Sequence, residues 1–98
     1  MGIIEGLNKA FDSRVRLGIM SVLMVHESVD YNSLKELLEL TDGNLASHIK
    51  ALEKLEYLNV SKRFVGKKPN TSYQVSHLGR MEFEKHLENL EKIVKGQL

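Results

Sequence analysis

A mostly helical domain carrying one small β-hairpin is the fold class this sequence predicts. Apolar residues recur every three or four positions along most of the chain, as at Leu45, Ile49, Leu52 and Leu55. The pattern changes to alternation only between Val60 and Val75, around a basic tip at Gly66-Lys67-Lys68-Pro69-Asn70. Helical spacing returns after Ser76, with Phe83, Leu87, Leu90 and Val94 at intervals of four, three and four. A length of 98 residues fits one domain over 1–98. Its core is modest, so pairing with a second copy would help it.

The elements follow in order. A short helix is expected from Ile3 to Ala10, with Ile3, Ile4 and Leu7 on one side. Asp12 or Ser13 caps a second helix reaching Met24 or His26, whose apolar positions are Val15, Ile19, Val22 and Leu23, with Leu17 and Met20 beside them. Ser28 to Asn32 has room for only a bridge-like strand. Ser33 with Glu36 reads as a capping box opening a two-turn helix around Leu34, Leu37 and Leu38. Thr41 caps the next helix, which Glu56 to Asn59 closes. Val60, Lys62 and Phe64 then share one face of a strand, and Thr71, Tyr73 and Val75 one face of its partner, with Pro69 expected in the loop between. Ser76 caps a last helix to about Lys95.

Composition excludes several classes. There is no cysteine, so disulfides and thiolate metal sites are ruled out. No apolar run is long enough to span a bilayer, and residues 1–10 lack a signal-peptide pattern, so a cytoplasmic protein is the simplest expectation. Enzymatic chemistry has little support. Ser47 and His48 are neighbours on a helix, about 100° apart, and cannot act as a nucleophile–base pair. Glu82 and His86 are only two potential ligands, and no Gly-rich phosphate loop is present. No catalytic residue, cofactor or metal is expected.

Net charge is +1, but its distribution is uneven. Residues 1–40 carry −2; residues 41–76 carry +3, from six basic and three acidic side chains. The positive excess therefore falls on the helix after Thr41 and on the hairpin. If Leu45, Ile49 and Leu52 face a core, Asn44, Ser47, His48 and Lys50 lie on or near the outer side. Asn binds adenine in a bidentate way, Ser both donates and accepts, and Lys suits guanine or phosphate. Gly43 permits close approach at the helix start, whereas Asp42 there would repel phosphate, or else favour the helix dipole or accept from a cytosine. Such residues also occur on an idle surface, and His48 fits a structural role as well as a contact. However, an idle face favours Glu, Lys, Gln or Ala over Asn, Ser and His. At the hairpin, Arg63, Lys67 and Lys68 suit phosphates or a minor groove, and equally suit protection of a strand edge.

These stretches carry a resemblance. Gly43-Asn44-Leu45-Ala46-Ser47-His48-Ile49, Leu52-Glu53, Tyr57, Phe64-Val65-Gly66-Lys67-Lys68-Pro69, Thr71-Ser72-Tyr73 and Gly79-Arg80 look like the small winged helix-turn-helix regulators of prokaryotes, relatives of the MarR and ArsR families. The similarity covers roughly residues 12 to 86. It implies a homodimeric regulator of transcription that binds double-stranded DNA, with Asn44, Ser47 and His48 on the recognition helix and Lys67 and Lys68 on the wing. Asn70 stands where such wings often carry a further basic residue. The cysteine-rich sites of metal-sensing ArsR relatives have no counterpart. A small-molecule effector is compatible with this class, although no residue identifies one.

On this reading residues 12–76 form the helix-turn-helix and wing, and 77–98 a dimerisation helix. The seam would join Phe83, Leu87, Leu90 and Val94 with Ile3, Ile4 and Leu7, setting two recognition helices about 34 Å apart. The same stripe can instead pack on its own domain. The rival function is a winged helix used only for protein interaction. That reading calls for apolar anchors on the outer face of the helix after Thr41, where Asn44, Ser47 and Lys50 stand.

Overall fold

The computed structural model describes residues 2–97. The chain begins with turns, in place of the helix expected over Ile3 to Ala10, and a 3-10 turn at Lys9–Phe11. Gly6 interrupts any helix there, and eight residues are too few to hold one without support. The segment is clipped to the last helix instead. Asn89 Nδ2 donates to the Gly6 carbonyl (2.7 Å), and the Asn8 N–H donates to His86 Nδ1 (3.0 Å).

Helix α1, Arg14–Val25, starts at Ser13, whose hydroxyl accepts from the Arg16 N–H. It is the central helix: Ile19, Met20 and Leu23 are fully buried, and Val15, Leu17, Val22 and Met24 are partly so. Strand β1 is Val29–Asp30, and α2 follows at once over Tyr31–Leu38. The capping box expected at Ser33 is not the start of α2. Asp30 leaves β1 in an extended conformation and accepts from the Ser33 N–H (2.7 Å), so the helix opens three residues earlier. Leu34 is its buried residue, whereas Leu37 is exposed.

Helix α2 ends at Glu39, a non-glycine residue in the left-handed region (φ 51°) whose N–H reaches back to the Glu36 carbonyl. Glycine adopts this conformation without a steric cost. Glu39→Gly is therefore expected to raise stability by about 0.5–1 kcal/mol, read as a higher urea midpoint with an unchanged slope. A lower midpoint would mean that the glutamate side chain contributes more than its backbone costs.

Helix α3, Asp42–Lys54, is capped by Thr41, whose hydroxyl accepts from the Asn44 N–H. Leu45, Ile49 and Leu52 are buried; Leu55, expected on the same stripe, sits at the C-cap and is 42% exposed. The chain then turns through Glu56 (φ 64°) into β2, Leu58–Val65, which pairs antiparallel with β3, Lys68–Val75. The sheet order is β1-β3-β2. The hairpin loop is only Gly66 and Lys67, and Gly66 at φ 66° supplies the positive φ of a II′-type first position. Pro69, expected in the loop, lies in β3 opposite Phe64. That pair lies one step beyond the pair closing the loop, a non-hydrogen-bonded position where proline's missing donor costs nothing.

Helix α4, His77–Val94, is capped by Ser76. Its first half packs on the domain through an aromatic cluster. The rings of Phe83 and His86 both stand 5.1 Å from Phe11 between centroids, and Tyr57 lies 5.7 Å from it. The domain measures 53 × 25 × 21 Å, so it is long in one direction, and the distal part of α4 is bare of packing on one side: Leu87, Leu90 and Val94 are exposed.

Candidate nucleic-acid interface

The outer face of α3 follows from its buried stripe. At about 100° per residue, Ser47 lies nearly opposite Leu45 and Leu52, while Asn44 and His48 form one flank and Lys50 the other. Asn44, Ser47 and Lys50 are exposed and His48 is half-buried. Gly43 opens onto space in which a Cβ would meet nothing within 4 Å.

Three contacts aim this helix from outside it. The Tyr31 hydroxyl donates to the Asp42 carbonyl (3.1 Å), which ties the start of α2 to the start of α3. Lys35 on α2 pairs with the Asp42 carboxylate at 3.0 Å. The pair is solvent-exposed and worth little in stability, but it places a cation beside the carboxylate at the start of α3, which would repel phosphate. On the Asn44 flank, Arg16 Nε donates to His48 Nδ1 at 3.0 Å. Neither Lys35 nor Arg16 was singled out from the sequence. A local pattern cannot find them, because each is defined only by the crossing of two helices.

The wing stands beside the Lys50 flank. Arg63 and Lys68 share one face of the hairpin, Lys62 lies on the other, and Lys67 is in the loop; all are exposed. Among the described residues the ion pairs are Lys35–Asp42 and Lys95–Glu91, so Lys50, Arg63, Lys67 and Lys68 carry charge without an ionic partner. An open groove of about 520 Å³ separates α3 from the wing, lined by Lys50, Glu53, Lys62, Asn70, Tyr31 and Tyr73. Burial, and secondarily the Glu53 carboxylate and Tyr31, push the Tyr73 phenol up, so the groove wall stays neutral at that point.

Far from this surface, Glu82 and His86 are held by the N-terminal segment. Asn8 Nδ2 donates to the Tyr57 hydroxyl (2.9 Å) and to Glu82 Oε2 (3.3 Å), while His86 Nδ1 accepts from the Asn8 N–H. Of the residues expected at a dimer seam, Ile3, Ile4, Leu87, Leu90 and Val94 are exposed and Leu7 is half-buried. Phe83 is a correction: it is 3% exposed, turned into its own domain against Phe11. The apolar stripe of α4 is continuous, but the domain covers its first part.

A helix-turn-helix of α2 and α3, with a hairpin beside its second helix, defines a winged helix. The chain belongs to the winged helix DNA-binding domain family, whose model matches residues 15–94. It is 33% identical over 88 residues to an uncharacterized protein of Methanocaldococcus jannaschii, covering 90% of this chain and 96% of that one. A transcriptional regulator homologue protein from Pyrococcus horikoshii superimposes with a TM-score of 0.85 at 28% identity, covering 97% of this chain and 92% of that one. MarR shares the fold at a TM-score of 0.75 and 12% identity, over 92% of this chain and 65% of MarR.

Proposed function

We propose that this chain is a regulator of transcription that binds double-stranded DNA as a homodimer, α3 lying in the major groove and the wing on the minor groove or its phosphates. One observation carries the reading. Asn44, Ser47 and Lys50 stand outward on a helix whose other side is sealed in the core, beside a wing of unpaired cations. Asn44, Ser47, His48 and Lys50 meet base edges, and Arg63, Lys67 and Lys68 supply attraction to phosphate. Residues 12–76 engage DNA, and 77–98 join the two copies through Leu87, Leu90 and Val94, with Ile3, Ile4 and Leu7 beside them. No helix among the described residues is long and apolar enough to cross a membrane. A cytoplasmic protein with no catalytic activity fits this role. The likeness to the Pyrococcus protein, a transcriptional regulator homologue, supports the same assignment.

The experiment is selection of bound duplexes from a random oligonucleotide pool, followed by gel shift across a salt series. Two lysines per protomer make four phosphate contacts per dimer. Replacing Lys67 and Lys68 with Ala should therefore flatten the slope of log affinity against log salt by about three to four units. Asn44→Ala should leave that slope alone and relax base preference, each lost bidentate contact being worth about 1–3 kcal/mol. If neither variant differs from the parent, α3 and the wing do not read DNA.

A further inference from the structure

Arg16 on α1 and His48 on α3 meet across thirty-two positions of sequence. The arginine is held at both ends. Its N–H donates to the Ser13 hydroxyl at 3.3 Å, and Nη1 donates to the Ala10 carbonyl, also at 3.3 Å. That leaves Nε aimed at His48 Nδ1.

A neutral imidazole has one donor nitrogen and one acceptor nitrogen, and a free ring can offer either outward. Here the acceptor is occupied. With Nδ1 receiving the Arg16 proton, the ring proton belongs on Nε2, and the outward edge of His48 can only donate. His48 lies one turn beyond Asn44 on the same flank of α3 and keeps part of its surface open. In the major groove the acceptors are guanine N7 and O6, adenine N7 and thymine O4, whereas cytosine presents an amino donor. A ring fixed as a donor therefore discriminates against cytosine, and a freely tautomerising ring does not.

We infer that Arg16 is a positioning residue for sequence reading: it locks His48 as a donor-only group that meets an acceptor on a base edge. This rests on the reading of α3 as the helix that enters the major groove. It adds a residue of α1, outside α2 and α3, to the determinants of specificity.

The test compares affinity for a selected operator with affinity for a scrambled duplex. Arg16→Ala and His48→Ala should each lower that ratio about tenfold, and the double variant no further. Arg16→Lys should retain the ratio, because an ammonium, like the guanidinium, can only donate and so still holds Nδ1 as the acceptor. Additive losses overturn the inference. So does an equal loss on operator and scrambled DNA, which would mark a phosphate contact, or an unchanged ratio in a folded variant. Each of these leaves DNA reading by α3 standing, while a parent protein with no preference among duplexes removes both. Nitrogen-15 spectra of the unmutated protein's imidazoles give a check that no folding defect can blur. A proton on Nε2 of His48 is expected, and one on Nδ1 of the neutral ring overturns the inference.

Discussion

Leu87→Glu is expected to convert the protein to monomers and to abolish tight operator binding in the same step. Leu87, Leu90 and Val94 continue the stripe that Phe83 begins, but the domain ends before it covers them, and they are 43%, 41% and 77% exposed. Covering what the monomer leaves open on each against a twin gains roughly 0.5–2 kcal/mol, and two-fold symmetry doubles the number buried. A glutamate at the centre of such a seam removes one of these contributions per copy and places two carboxylates in an apolar contact. A monomer then holds one half-site without the second. Losing that linkage lowers operator affinity by about a hundredfold or more. Sedimentation and gel shift on one preparation test both consequences. A variant that still sediments as a dimer would show that the copies meet elsewhere; a monomer with full affinity would show that dimerisation is not required for binding.

Phe83 shows where sequence reading reaches its limit. Its spacing from Leu87, Leu90 and Val94 identified one apolar face correctly. Periodicity reports that a face is apolar, not what covers it. The boundary between covered and bare falls between Phe83 and Leu87, and it is set by Phe11, Tyr57 and the Asn8 clip on His86. The outward placement of Asn44 and Ser47 was legible because it depends only on where Leu45, Ile49 and Leu52 point, a property local to one helix. The same holds for the caps at Ser13, Thr41 and Ser76. The start of α2 is not legible in this way, because Ser33 and Glu36 also fit a capping pattern and only the end of β1 decides for Asp30. Asp42 looked unfavourable in the sequence because its cation, Lys35, comes from the neighbouring helix. Arg16 was invisible for the same reason. The elements are local and readable, whereas the contacts that aim and electrically balance α3 come from other helices, α1 and α2.

Gly79→Ala is the second substitution with a large expected effect, and two opposing terms decide its sign. In a helix alanine is favoured over glycine by up to about 1 kcal/mol, and less in the first turn, where Gly79 lies. Against that, a Cβ on Gly79 would lie 2.9 Å from both the Cα and the carbonyl carbon of Tyr57, and closer still to its carbonyl oxygen. Neither partner is the free end of a side chain. The Tyr57 corner is also pinned: its N–H donates to the Leu52 carbonyl (3.0 Å), and its carbonyl accepts from the Ser76 N–H (2.9 Å). The Ser76 hydroxyl donates to the Glu56 carbonyl at 2.7 Å and accepts from the Gly79 N–H at 2.9 Å. The backbone cannot withdraw without breaking this stitch, so the clash outweighs the helix preference. A net loss of about 2–4 kcal/mol is expected, large against the total stability of a domain this size. Because α4 would have to tilt away, Phe83 and His86 would lose their packing on Phe11, and the seam at Leu87 would shift with them. Gly43→Ala is the matched control. It lies in the first turn of α3 and a Cβ there meets nothing within 4 Å, so only the helix preference remains and stability should rise by about 0.5–1 kcal/mol. Thermal melts of the two variants beside the parent should move in opposite directions; movement in the same direction would mean that the close approach of α4 to Tyr57 does not hold the domain together.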